Sequence, residues 1–261
     1  QMNTYLDQST LSRRGFNLLI RYFLFKLREW DYLSGQRPDL LIANSNFTAR
    51  RIKKYWRRES TVIHPPVNVE RFHVSENKSN YYLTVNRLVP NKRIDLLVKA
   101  FNQLNLPLII IGDGPEKKKL KKLAKNNIKI LCNQNNFQVE KLMSECRAFV
   151  YAGIEDFGIA PVEAMAAGTP VIALGSGGLL DTVINYENCS NGVLPTGILF
   201  KEQSVAAIID TINWAEDKKI WREFNSKEIS NYANKFSSQN FLLKIDKFTK
   251  KSLEDFQINC F

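Results

Sequence analysis

Glu155-Asp156-Phe157-Gly158-Ile159-Ala160-Pro161-Val162-Glu163-Ala164-Met165-Ala166-Ala167-Gly168-Thr169-Pro170 is the stretch that decides how this chain reads. It follows the apolar run Ala148-Phe149-Val150-Tyr151, which has the pattern of a buried parallel strand, and leads into a second such run, Val171-Ile172-Ala173-Leu174. A loop and a short helix fit between them, with Pro161 expected at the first helical position. Glu155 falls in the loop and Glu163 in the first helical turn, with seven residues between them. Gly158 lets a bulky group approach the backbone. Two carboxylates and a set of free helix N–H groups are thus expected at the carboxyl end of a strand, where open α/β sheets bind ligands. The amides suit phosphate; the carboxylates suit sugar hydroxyls.

Outward from this stretch the chain alternates strand and helix. The pattern places strands at 81–85, 108–111, 128–131, 149–151 and 171–174, and helices at 94–104, 116–125, 139–146 and up to 167. Such βαβ alternation predicts an α/β fold with a parallel, doubly wound Rossmann-like sheet and helices on both faces. Residues 203–216, 219–228 and 237–256 read as helices, the last with Phe241, Leu242, Ile245, Phe248 and Leu253 on one side. Before the regular alternation come an amphipathic helix over 12–35 ended by Gly35, a short buried strand over 39–44, a helix over 46–58 capped by Ser45, and a strand over 61–64. These early pieces cannot form a core of their own. The expected division is 1–59, the tail of a preceding α/β domain; 60–235, the ligand-binding domain; and 236–261, a C-terminal helix packing back toward the first.

Composition narrows the function. At 261 residues, 44% hydrophobic and 24% charged, the chain is an ordinary globular protein. Cys132, Cys146, Cys189 and Cys260 lack metal-type spacing and fit a reducing, cytoplasmic setting, while two histidines are too few for a His-based metal site. No run reaches the roughly 20 apolar residues of a membrane span, and no signal-peptide pattern opens the chain. Residues 1–60 hold 12 Lys/Arg against 5 Asp/Glu and so carry most of the net charge of +11. That basic segment would attract phosphates, an anionic membrane surface or nucleic acid without choosing among them. A solvated basic face is the plainer account.

Three further loops carry candidate ligand contacts. Asn86-Arg87 with Lys92-Arg93 puts cations just past the first strand of the domain, on the edge from which Glu155 emerges. Gly112-Asp113-Gly114-Pro115 makes a strand-to-helix turn that either lines a crevice or is a plain turn. Gly175-Ser176-Gly177-Gly178 follows the next strand, exposes amides like an anion nest, and leaves Asp181 to start a helix. The spacing is not that of a dinucleotide fingerprint.

In combination, Arg87 with Lys92, the Gly112–Pro115 turn, the Glu155–Ala173 stretch and Gly177-Gly178 resemble the retaining glycosyltransferases of family 4, over roughly residues 39–200. The likeness is greatest to bacterial mannosyltransferase-type members that build surface polysaccharides. It implies a GT-B fold, two Rossmann-like domains across a cleft, of which the C-terminal one binds the nucleotide-sugar. It also implies catalytic roles for Arg87 and Lys92 on the diphosphate and for Glu155 on the donor sugar. Donor contacts are implied for Glu163 on ribose and for Asn86, Gly112, Gly114, Gly158, Ile159, Gly177 and Gly178. The implied donor is a nucleotide-diphosphate sugar, GDP-mannose first among them, with no further cofactor and no metal. The implied acceptor is a glycan or lipid-linked, with peripheral membrane contact through the basic segment and no nucleic acid. Asn86, Leu180 and Asp181 depart from the family's usual Gly, Pro and Glu, and neither His64 nor His73 matches its catalytic-site histidine. Two other readings carry tests: a nucleotide or nucleic-acid binding module using residues 1–60, and a phosphorylase-like or sugar-phosphate synthase activity on the same fold.

Overall fold

The computed structural model describes residues 16–189 and 194–259. The chain divides into two compact units. One is formed by the described parts of Gln1–Ala43 and Ala49–Thr61, the other by those of Asn44–Thr48 and Val62–Phe261.

In the first unit, α1 spans Phe16–Gln36, so Gly35 lies inside the helix rather than past its end. Gly35 has a packing reason: a Cβ there would fall 2.5 Å from the Trp56 ring. The forked guanidinium of Arg58 closes the end of α1. It donates to the carbonyls of Gly35 (3.2 Å) and Gln36 (3.4 Å), groups that a helix terminus otherwise leaves unpaired, and to those of Pro38 and Asp39 (2.7 Å) just beyond it. The strand β1 is only Ile42–Ala43, and Ile42 is exposed, so the longer buried strand expected over 39–44 does not form. The helix α2 is Asn46–Trp56, of which the first unit holds the part from Ala49; its start lies in the second unit, where Ser45 Oγ accepts from Thr48 N–H at 3.1 Å. The strand β2 is Thr61–Val62, where Thr61 N–H bonds Leu41 O at 2.9 Å.

The second unit is built on β3 Tyr82–Val85, α3 Ile94–Leu104, β4 Leu108–Ile111, α4 Lys117–Leu123, β5 Ile128–Leu131 and α5 Asn136–Glu145. There follow β6 Ala148–Tyr151, α6 Ile159–Ala166, β7 Val171–Leu174, α7 Leu179–Thr182, β8 Gly197–Phe200, α8 Val205–Asp217, α9 Ser226–Ala233 and α10 Ser238–Asn259. The six longer strands form one parallel sheet in the order β5-β4-β3-β6-β7-β8. The chain winds outward from β3 through β4 to β5, then returns and winds the other way from β6 to β8. The order therefore reverses between β3 and β6, which opens a crevice at their carboxyl ends. Helices cover both faces, as the alternation predicts. In α3, Leu97, Val98 and Phe101 are 0% exposed, and each such burial contributes about 1.5–3 kcal/mol. The helix α3 packs against α8, and α6 against α9.

The differences from the pattern-based reading have local causes. The edge strand β8 is absent from that reading because it opens on a glycine. A Cβ at Gly197 would sit 2.1 Å from Val171 O, so the close pairing with β7 demands glycine where a strand would ordinarily prefer a branched residue. The single helix expected over 219–228 is two: a 3-10 turn at Ile220–Glu223, then α9, whose start is set by Asn225 Oδ1 accepting from Lys227 and Glu228 N–H. Likewise α5 begins earlier than expected, because Asn135 and Gln138 form a reciprocal capping box. Leu242 and Leu253 of α10 are exposed.

Candidate functional site

Four loops leave the carboxyl ends of adjacent strands, and glycines let them nest. After β4, Gly112 and Gly114 take φ of +152° and +155°, and a Cβ would meet Asn86 O at 1.8 Å and Leu88 O at 2.5 Å. The turn is glycine-rich because the backbone of 86–88 runs against it, and Leu88 N–H bonds Asp113 O at 2.9 Å. The Gly112 amide donates to Leu131 O (3.0 Å) and the Gly114 amide to Asp113 Oδ1 (2.7 Å). After β7, a Cβ on Gly177 would fall 2.3 Å from Glu155 O, and one on Gly178 would fall 2.3 Å from Asp156 O. The Gly178 amide donates to Glu155 O at 2.8 Å. These two glycines hold the acidic loop in place.

That loop runs from Ala152 to Gly158. Phe157 is buried and packs on His64 and Phe236, each with ring centroids 5.5 Å away. His64 Nδ1 in turn lies 3.1 Å from Asn44 O. Gly158 caps α6 at φ +95°, where only glycine sits without strain. Pro161 is then the third helical residue rather than the first, a position whose N–H also needs no helical partner. Glu163 is the fifth, so it lies in the second turn rather than the first. Ile159, at the mouth, is 50% exposed.

The chain reaches Lys92 through a 3-10 turn, Pro90–Lys92, and leaves it through Arg93 at φ +52°. A non-glycine there costs about 1–2 kcal/mol. It is held by Asp95 Oδ1 (3.2 Å from Nε) and Gln203 Oε1 (3.2 Å from Nη1). Gln203 also donates to Ala152 O at 2.8 Å, tying this bend to the end of β6.

The resulting geometry joins some of the expected residues directly. Lys92 Nζ donates to Glu155 Oε1 across the β3–β6 crevice. Tyr151, the last residue of β6, donates its hydroxyl to the same oxygen. Glu163 is not in that cluster. It faces Arg71, whose Nη2 is 3.9 Å from Glu163 Oε1. Arg71 comes from a short 3-10 turn, Val69–Arg71, and also pairs with Glu140 of α5 at 3.2 Å. Arg87 is exposed, and its side chain has no hydrogen-bond or ion-pair partner among the described residues. Asn86 turns back, its Nδ2 donating to Thr84 Oγ1 at 3.1 Å. Asp181 lies inside α7, and its Oδ2 accepts from Asn46 N–H at 2.6 Å.

Burial pushes the Glu163 carboxyl above the ordinary range; Arg71 opposes the shift and Glu140 adds to it. Burial and the nearby Glu155 carboxylate hold the Tyr151 phenol protonated far above neutral pH. Tyr151, Arg71, Gly153 and Gln203 were not singled out from the sequence. The only signal for Tyr151 is a phenol ending an apolar run, which hides where its hydroxyl goes. Among the described residues, no group of three or more His, Cys, Asp or Glu could hold a metal ion, and no helix is long and apolar enough to cross a membrane.

A parallel sheet with helices on both faces, and charged loops at its reversal point, defines a doubly wound α/β protein with its crevice at the carboxyl ends of β3 and β6. Residues 68–236 match the family described as glycosyl transferases, group 1, and the chain belongs to that family. An uncharacterized glycosyltransferase of Methanocaldococcus jannaschii is 29% identical over 246 residues, 91% of this chain and 66% of that protein. The GDP-Man:Man(3)GlcNAc(2)-PP-Dol alpha-1,2-mannosyltransferase of Candida glabrata is 27% identical, covering 90% of this chain and 57% of its own length. Among solved structures, Anabaena HepE in complex with UDP and glucose superposes with a TM-score of 0.69 at 21% identity, over 84% of this chain and 64% of that one. The chain spans about two thirds or less of the length of these relatives.

Proposed function

We propose that this chain forms the donor side of a glycosyltransferase that moves a hexose from a nucleotide-diphosphate sugar to a glycan or lipid-linked acceptor with retention of configuration. The observation that carries the reading is the meeting of Lys92 and Glu155 at the reversal point of the sheet. Lys92 and Arg87 take the donor diphosphate and stabilise the charge that grows on the leaving nucleotide. The Arg87 side chain, exposed and without a partner among the described residues, can turn to a phosphate without breaking a pair seen there. Glu155 accepts from the donor sugar's hydroxyls and Glu163 from the ribose. Asn86 and the loops at Gly112, Gly114, Gly158, Ile159, Gly177 and Gly178 shape the surrounding wall. No metal enters this reading.

The likeness to the GDP-Man:Man(3)GlcNAc(2)-PP-Dol alpha-1,2-mannosyltransferase of Candida glabrata supports mannose from GDP-mannose as the group this chain's protein transfers. The exposed Tyr22, Phe23, Phe25 and Trp30 of α1, alternating with Arg21, Lys26 and Arg28, would give peripheral membrane contact at a lipid-linked acceptor. In the same proposal residues 1–59 belong to an acceptor-side domain, 60–235 bind the donor, and 236–261 return toward the first. The test is donor hydrolysis and transfer, with the anomeric configuration of the product read by NMR. A retained anomer from a nucleotide-sugar supports the reading; an inverted anomer, or phosphorolysis, contradicts it.

A further inference from the structure

The hydroxyl of Tyr151 and the amine of Lys92 both donate to one oxygen of Glu155, Oε1. Tyr151 is 2% exposed at the end of a fully buried strand, and its ring stacks on Phe149 with centroids 6.5 Å apart and an interplanar angle of 15°. It cannot move without disturbing the sheet. Lys92 is the opposite: a compact charge on a flexible stem that a phosphate can draw away. Gly153 lets the two come together, since a Cβ there would lie 3.2 Å from both Tyr151 Cε1 and Lys92 Cα.

We propose that Tyr151 is the fixed positioning residue of Glu155, keeping one carboxylate oxygen engaged so that Oε2 stays aimed at a hydroxyl of the transferred sugar after Lys92 turns to the diphosphate. This rests on the donor reading above. Without Tyr151, the departure of Lys92 would leave Glu155 with no side-chain donor among the described residues just as the sugar arrives. The carboxylate would then swing, and the sugar would lose its acceptor. With the phenol in place, the exchange of Lys92 from carboxylate to phosphate leaves Glu155 where it was. The strand end thus sets how much the sugar adds to nucleotide affinity, while the phosphate contacts are made elsewhere.

Calorimetric titration of the full chain with GDP and GDP-mannose, and with UDP and UDP-glucose, separates these contributions. Unmodified protein is expected to bind one nucleotide-sugar more tightly than the matching diphosphate. Tyr151→Phe should bind the diphosphate within about twofold of the unmodified protein and the nucleotide-sugar about tenfold more weakly, which is about 1.4 kcal/mol. Glu155→Gln should show the same pattern, and the double variant should be no worse than Glu155→Gln alone. Tyr151→Phe that keeps the full gain from the sugar overturns the proposal while leaving the donor reading intact. Equal weakening of both ligands in Tyr151→Phe also overturns it, since that is what a purely structural tyrosine would give. Unmodified protein that binds neither nucleotide-sugar overturns the donor reading, and this proposal with it.

Discussion

Arg71 stands between two acids: its Nη2 is 3.9 Å from Glu163 Oε1 and its Nε is 3.2 Å from Glu140 Oε1. The second contact is an ion pair without hydrogen-bond geometry, because Arg71 Nε has no hydrogen-bond partner among the described residues. The Glu163 side chain is only 20% exposed, so its charge is poorly hydrated and compensated by one shared cation. A buried carboxylate held this way is a cost to the fold that a ligand hydroxyl network could recover.

The sign of that cost can be worked out. The folded-state pKa of Glu163 is raised, chiefly by burial, so between its ordinary and raised values the folded chain binds more protons than the unfolded one. Stability therefore falls as pH rises through this window. Glu163→Gln removes the charge and is expected to raise the urea midpoint at neutral pH relative to the unmodified protein, with the difference shrinking near pH 4. A variant that is less stable at neutral pH would contradict the electrostatic assignment.

Arg71→Met removes the cation that draws the Glu163 pKa down and is expected to push that carboxyl higher still. Nucleotide binding that needs an ionised Glu163 should then weaken on acidification from a higher pH than in the unmodified protein, by about tenfold at mildly acidic pH. Affinity measured across pH for both proteins checks this. Coincident profiles would separate Arg71 from the site.

The glycine loop after β7 offers a paired test. Gly178 has no unusual φ, but a Cβ there would sit 2.3 Å from Asp156 O; at Gly175 the nearest atoms are at an ordinary 3.4 Å. Gly178→Ala is expected to cost about 1–3 kcal/mol and to displace the Glu155 loop. Gly175→Ala should stay within about 0.5 kcal/mol. Denaturant unfolding and nucleotide affinity, measured on both, check the pair.

In the first unit, Arg58→Ala strips the carbonyls after Ser34 of α1 of their shared donor. Charged hydrogen bonds of this kind contribute about 1.5–3 kcal/mol. Faster amide exchange at the end of Phe16–Gln36, with the sheet unaffected, is the expected result.

The parallel sheet was legible because its strands are short, mainly apolar runs; the inner strands Leu108–Ile111 and Val171–Leu174 and the edge strand Ile128–Leu131, interrupted only by Lys129, begin and end where the pattern places them. The edge strand was hidden by Gly197, whose reason lies in Val171, far away in sequence. The acids and cations of the site were legible as residue types at strand ends, and Lys92 with Glu155 could be placed on one edge. Their partners were not. Arg71 pairs with an acid 92 positions away, and Tyr151 looks like core until its hydroxyl is followed. Pattern reading finds which face a side chain takes, not which atom it meets.

The account turns on one site that holds a diphosphate and its sugar between Lys92, Glu155 and Glu163. Calorimetric titration of GDP-mannose, UDP-glucose, GDP and GMP into the full chain, repeated with Lys92→Met and Glu163→Ala, tests this most directly. The account predicts binding of a nucleotide-sugar that weakens about tenfold or more in each variant and when the diphosphate is cut to a monophosphate. Unchanged affinity in both variants, or no preference for the diphosphate, would contradict it.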